Sequence, residues 1–301
     1  MERMLPLHLS PIASEKAGSA IVISGSGRSG TTIIGKLLHS FEGVEYAFEP
    51  PMLVSLLPLI ESMDAASWRL LYETYVYEEF FINAMTGRAI NTNRADDSSI
   101  YQVKSAEEID SRLQRSIRKL EAERLTTAAT VAYKLPNVIP FLPRLAEYYP
   151  HTRFLIMKRD AVGTINSLIE KGWFSDESVR TSMVWPFRLL DGVKIPSWVK
   201  EGDDRSWVEM PEIDRCAYYY IRVSEGVEHI PNRIELSYRD LLSDPHATAC
   251  RLAKVFGLQP GSKTDAIVSS IRPADKVRDM DITHRIDPRL AQVVAYYSGN
   301  L

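Results

Sequence analysis

Residues 20–24, AIVIS, form an unbroken apolar run of β character. The glycine-rich stretch GSGRSG follows, and then TTIIGKLLHSF, in which Ile33, Ile34, Leu37, Leu38 and Phe41 recur at helical spacing. This is strand, loop and helix; Gly43 ends the helix, and VEYAF reads as a second strand. From Pro51 to about Thr127 no strong strand pattern occurs; helical spacing dominates, broken by the polar run NTNRADDSS. ATVAYKL is the next strand, followed by a helix from Val138 to Tyr148 that Pro150 stops. RFLIMK (Arg153 to Lys158) is apolar throughout with charged ends, as a parallel strand buried on both faces requires.

Asp160 can cap the helix AVGTINSLIEKG. The proline- and tryptophan-rich stretch from Trp173 to Trp207 reads as loop with short helices, and Ile213 to Ile230 as an amphipathic helix. RIELSY is a further strand. Asp244, Pro245 and Gly257 then punctuate the helix PHATACRLAKVF as cap, first residue and stop. Strands alternating with helices predict an α/β fold: a P-loop-type parallel sheet flanked by helices, in one domain over 1–301, with 51–127 as a helical insertion capping one end.

Composition narrows the function. The 301 residues are 45% hydrophobic and 25% charged, with net charge −3, and give no general reason to expect nucleic acid or an anionic membrane as partner. Any anion site must be a local cluster. No apolar run approaches a membrane span, the N-terminus lacks the pattern of a signal peptide, and a cytoplasmic enzyme is the expectation. Cys216 and Cys250 stand outside any zinc spacing and read as two buried, reduced thiols.

The chemistry concentrates in Gly25 to Thr32, G-S-G-R-S-G-T-T. Small residues between a strand and a helix let backbone amides face phosphate oxygens, and the helix N-terminus adds positive potential. Gly25 and Gly30 fit the nucleoside-triphosphate pattern GxxxxGK[ST], but Thr31 stands where the lysine should be. That lysine reaches the β/γ-phosphates, so its absence argues against an ATP or GTP hydrolase and for a donor with a shorter phosphate chain. Arg28 supplies charge inside the loop. A second anion site is suggested by Arg159, at a strand end, with Ser167 about two helical turns further on; the plainer alternative is an Asp160–Arg159 cap beside a solvated serine.

Together these pieces resemble the sulfotransferase family that uses 3′-phosphoadenosine 5′-phosphosulfate (PAPS). In that family the element resembling ISGSGRSGTT binds the 5′-phosphosulfate, and the element resembling FLIMKRDAVGTINS binds the 3′-phosphate. AYKLPNVIPFLPRLAEYYPHTRFLIMKRD and RIELSYRDLLSDPHATACRLAKVFGL resemble the family's lysine–proline and late strand–tyrosine segments, in matching order. The pattern is closest to the tyrosylprotein and bacterial or carbohydrate branches. Tyr133-Lys134-Leu135-Pro136 lacks the histidine that cytosolic small-molecule members use as base, and Glu49 in AFEPP fits the glutamate of the other branches.

The resemblance implies Glu49 as general base and Lys134 at the oxygen that leaves with the nucleotide. It implies Gly27, Arg28, Ser29, Gly30, Thr31 and Thr32 around the 5′-phosphate, Arg159 and Ser167 around the 3′-phosphate, and Tyr238 near the nucleotide. No metal is needed, and the partner is a hydroxyl-bearing acceptor. The plainer alternatives are a surface turn for Glu49-Pro50-Pro51, a solvated strand-end charge for Lys134, and, for the whole chain, a P-loop kinase using ATP. Trp173, Trp185, Trp198 and Trp207 suggest sugar-binding faces and hence a carbohydrate acceptor, though core packing is the commoner role of tryptophan.

Overall fold

In the computed structural model, residues 7–96, 98–114, 117, 119–181, 186–272 and 282–298 are described. The apolar runs form five parallel strands: β1 (Ile21–Gly25), β2 (Val44–Phe48), β3 (Thr130–Lys134), β4 (Arg153–Lys158) and, after a two-stranded hairpin, β7 (Arg233–Ser237). Their order is β2-β3-β1-β4-β7, with β1 central. Every pairing is parallel, so all carboxyl ends lie along one edge. From β1 the chain runs outward to β2, and after β3 it crosses β1 to reach β4. The loop after β1 therefore opens at a switch point of the sheet, the usual ligand crevice of such folds.

Side chains alternate across the sheet and both faces are buried. Val22, Tyr133, Phe154 and Ile156 join one core with helices Leu142–Tyr148, Ala161–Glu170 and Glu212–Glu228. Ile21, Ile23, Ala132, Leu155 and Met157 join the other with Ile34, Leu37, Leu252 and Ile267 of helices Thr31–His39, Pro245–Phe256 and Thr264–Ser270. This double burial explains why these strands read as continuous apolar runs rather than alternating ones.

Among the described residues, 51–127 contains helices and no strand, including a π-helical stretch Thr74–Ile82. A buried ionic group ties this segment to the sheet. Arg112 of helix Ala106–Leu113 meets Glu45 of β2 at 2.7 Å, and Lys104 donates to the Phe41 carbonyl at 2.7 Å. Burial alone would raise the Glu45 carboxyl; His39, 3.7 Å away, and the charge of Arg112 hold it at about 2 instead.

Several local expectations need correction. The stretch Trp173–Trp207 holds an antiparallel hairpin, β5 (Phe187–Leu190) and β6 (Val193–Pro196). Asp191 and Gly192 at its tip both have positive φ, 51° and 74°, the primed turn that an Asp-Gly pair between apolar residues favours. The helix expected from Val138 to Tyr148 is split: Pro136–Phe141 is 3₁₀ with a kink at Asn137, and the α-helix begins only at Leu142. A helix, Pro11–Gly18, precedes β1, and the helix after the glycine loop ends at His39, with Gly43 in the following turn at φ 64°. Cys216 is buried as expected, but Cys250 is exposed. Tyr238 starts a short helix, Tyr238–Ser243, rather than closing the strand.

Candidate active site

The five strand ends deliver the chemistry-bearing residues to one edge. β1 ends in the glycine loop, where Gly25 and Gly30 have φ of 148° and 88° and Arg28 has φ 69°. Ser29 Oγ donates to the Ser26 carbonyl at 2.6 Å, closing the loop. The helix that follows begins at Thr31 with no side-chain cap, so its first amides have no acceptor within the helix. The loop is closely packed from outside: a Cβ on Gly27 would lie 2.4 Å from the Trp173 indole, and one on Gly30 2.7 Å from the Tyr238 ring. Free amides, hydroxyls and a helix N-terminus suit a small anionic group.

β2 and β3 bring Glu49 and Lys134 together. Their register sets Phe48 opposite Lys134, and the Glu49 amide donates to the Lys134 carbonyl at 3.1 Å. Lys134 Nζ donates to Glu49 Oε1 at 2.5 Å and to Thr32 Oγ1 at 3.0 Å. Lys134 is therefore no solvated strand-end charge; its side chain is 5% exposed, against 21% for Glu49. The positive charge that a P-loop lysine supplies in a triphosphatase arrives here from β3, on the hydroxyl of the first helical turn. Burial pulls the Lys134 ammonium below the ordinary lysine range, a shift that Glu49 opposes.

Glu49 is not an ordinary surface turn either. It has φ 43° immediately before Pro50, a left-handed conformation that costs an L-residue about 1–2 kcal/mol and that a following proline disfavours further.

The Arg159–Ser167 element converges on the glycine loop. Asp160 Oδ1 accepts from the Gly163 amide at 2.6 Å and caps the helix that carries Ser167, as expected. Ser167 Oγ accepts from Arg28 Nε at 3.1 Å, and Arg159 Nη1 donates to the Arg28 carbonyl at 2.7 Å. The Arg159 guanidinium lies 4.9 Å from the Tyr238 ring centroid. Arg28, which the sequence assigned to the loop alone, thus joins both elements. Tyr219 and Asn137 at this edge escaped the sequence reading, and Trp173, read there as one of four candidate sugar faces, packs against the loop instead. Trp173 packs on Gly27, Tyr219 Oη accepts from the Gly27 amide at 2.6 Å, and Asn137 Oδ1 accepts from Tyr219 at 2.7 Å. Nothing marked Tyr219 among three consecutive tyrosines on an amphipathic helix.

The tryptophans chiefly pack. Trp198 and Trp207 are buried with Phe174 and Tyr219 in one aromatic cluster, with ring centroids 4.9–5.6 Å apart, rather than forming an open face. Trp185 lies outside the described residues. Phe48 and Met52, on either side of Glu49, are exposed instead, and the Phe48 ring centroid is 4.4 Å from Lys134 Nζ. Among the described residues no group of side chains is arranged to hold a metal ion, and no helix is long and apolar enough to cross a membrane.

The profile of the sulfotransferase family matches residues 20–185, more than half of the chain and the whole span from β1 through the glycine loop, Glu49, Lys134, Arg159 and Ser167. The chain belongs to the sulfotransferase family. A kinase is accordingly not the favoured reading of its glycine loop. Several solved sulfotransferases are similar to this chain at low identity. The sulfotransferase domain of the Synechococcus PCC 7002 olefin synthase is 13% identical over 93% of either chain, with a TM-score of 0.47. A domain from the curacin biosynthetic pathway is 14% identical over 94% of this chain and 96% of that one, with a TM-score of 0.47. A sulfotransferase from Mycobacterium avium is 14% identical over 94% of this chain and 76% of that one, with a TM-score of 0.45. No curated protein matches the chain in sequence.

Proposed function

We propose that this sulfotransferase moves a sulfuryl group from PAPS to an acceptor hydroxyl, with Glu49 as general base. The observation that supports it most is the Lys134 ammonium held between the Glu49 carboxylate, at 2.5 Å, and the Thr32 hydroxyl at the loop's helix, at 3.0 Å. A base and a cation stand side by side at the mouth of an anion cradle, which is what in-line transfer between two oxygens needs.

In this reading Arg28, Ser29, Gly30, Thr31 and Thr32 hold the donor's 5′-phosphate through amides, hydroxyls and the helix N-terminus, with Gly27 giving the loop its close packing. Arg159 and Ser167 hold the 3′-phosphate, and Tyr238, against Arg159, borders the nucleotide. The acceptor oxygen bonds to sulfur as the bond from sulfur to the bridging oxygen breaks. Glu49 takes the acceptor's proton. Lys134 turns its charge to the bridging oxygen, which leaves with the nucleotide as adenosine 3′,5′-bisphosphate. The protein's cations balance the charge of the transfer.

The acceptor is a small-molecule hydroxyl compound, a carbohydrate among the candidates. Exposed Phe48 and Met52 beside Glu49 favour one that carries an apolar face next to its hydroxyl. Incubation with PAPS labelled in sulfur and a panel of sugar, aryl and alkyl alcohols tests the proposal: label should pass to a hydroxyl compound in the native protein and not in Glu49→Gln. Transfer that is undiminished in Glu49→Gln would remove Glu49 as the base.

A further inference from the structure

The Gly27 amide is one of the loop amides expected to face phosphate, yet it donates to the Tyr219 hydroxyl at 2.6 Å. Because that hydroxyl oxygen accepts from the amide, its own proton goes to Asn137 Oδ1 at 2.7 Å. Tyr219 is fully buried on helix Glu212–Glu228, far from the loop in sequence, and its ring is fixed by Phe174 at 5.3 Å and Trp198 at 4.9 Å between centroids. Asn137 lies three residues beyond Lys134, at the kink of the 3₁₀ segment that leaves β3. It also lines a narrow, mainly apolar slot with Val54 of the helix after Glu49 and with Pro196 of the hairpin. On its other side Gly27 rests on the Trp173 indole.

We infer that Tyr219 is a positioning residue: its hydroxyl fixes the donor loop through Gly27 and, through Asn137, ties the loop's position to the turn that carries Lys134. This role rests on the donor reading above. Two hydrogen bonds in series set the loop against the β3 turn, so the amides of the loop and the ammonium of Lys134 keep one relative position. Burial pushes the Tyr219 hydroxyl well above the ordinary tyrosine range, so it keeps its proton and remains a donor to Asn137 at every working pH. Gly27 is clamped between an indole and a phenol, an arrangement that a simple turn does not need.

Tyr219→Phe removes the hydroxyl and keeps the ring in its aromatic cluster. The expected result is a loss of affinity for adenosine 3′,5′-bisphosphate of about three- to tenfold, the worth of one net hydrogen bond. The donor KM should rise and kcat should fall, while the acceptor KM changes less than about twofold. Asn137→Ala should show a smaller loss of the same kind. Because the bonds lie in series, the double variant should be no more than about twofold worse than Tyr219→Phe alone. A purely structural role predicts otherwise: a lowered melting temperature and a smaller active fraction, with both KM values unmoved. Unchanged bisphosphate affinity in Tyr219→Phe, or losses that simply multiply in the double variant, would overturn the relay. Native protein that fails to bind the bisphosphate would overturn the donor reading first, and the relay with it.

Discussion

Lys134 Nζ and Glu49 Oε1 lie 2.5 Å apart, joined across two strands by a register that also sends the Glu49 amide to the Lys134 carbonyl. The pair has consequences for both partners. A lysine buried to this degree is costly to charge without a carboxylate beside it, and a glutamate held at positive φ is costly to keep without a task.

Glu49→Gln is expected to lower turnover by about a hundredfold or more, the usual size of base catalysis, with bisphosphate affinity within about twofold of native. Single-turnover kinetics and calorimetry read the two separately. A variant that keeps more than about a tenth of native turnover would exclude Glu49 as the principal base. Glu49→Gly should be equally inactive yet melt higher than Glu49→Gln, because glycine relieves the left-handed strain worth about 1–2 kcal/mol.

Lys134 gives a pH dependence with a definite sign. Burial lowers its ammonium below the ordinary lysine value, so the charged form is lost on the alkaline side, at lower pH than for an exposed lysine. Turnover should decline there as pH rises. Lys134→Arg stays charged, and whatever turnover it retains should lack that decline. An identical alkaline limb in the arginine variant would assign the titration to another group.

The fold was legible where burial imposed a pattern. β1, β3 and β4 are covered on both faces and read as apolar runs, and Asp160, Asp244 and Gly257 behave as their cap chemistry suggests. The hairpin was signalled by Asp191-Gly192 but hidden by its surroundings of proline and tryptophan. Among the candidate site residues, Arg28, Arg159 and Ser167 could be named from local motifs, and Glu49 and Lys134 from the family resemblance. Their contacts could not, because Glu49 and Lys134 are 85 positions apart and meet only through the β2–β3 register. Tyr219 carried no local mark at all, since its partner amide is 192 positions away.

The buried group at Glu45 should make acid stability depend on the tie between the helical segment and β2. Its folded carboxyl titrates near 2 against an ordinary value of 4.5. The native state therefore gains stability above pH 4.5 that is lost as pH falls toward 2. Glu45→Gln should flatten that part of the stability curve, measured by denaturant unfolding at a series of pH values. An unchanged slope would place the acid sensitivity elsewhere.

Gly27→Ala should impair donor binding more than its single methyl suggests. The added Cβ would lie 2.4 Å from the Trp173 ring, so loop or indole must move. Bisphosphate affinity is expected to fall about tenfold or more, by analogy with overpacking costs of 1–3 kcal/mol. Trimming the indole in Gly27→Ala/Trp173→Leu should recover part of it. Native affinity in Gly27→Ala alone would show that the loop does not depend on this contact.

PAPS carries a phosphate at the ribose 3′ position that ATP and AMP lack, and Arg159 and Ser167 converge with Arg28 at the glycine loop. The most direct test is calorimetric titration of the native protein with adenosine 3′,5′-bisphosphate, AMP and ATP with magnesium. Charge-assisted hydrogen bonds contribute roughly 1.5–3 kcal/mol each, so the bisphosphate should bind about a hundredfold or more tighter than AMP. Arg159→Ala should collapse that preference while leaving AMP almost untouched, and Ser167→Ala should do so less severely. Equal affinity for the bisphosphate and AMP, or tighter binding of ATP with magnesium, would contradict the PAPS donor itself.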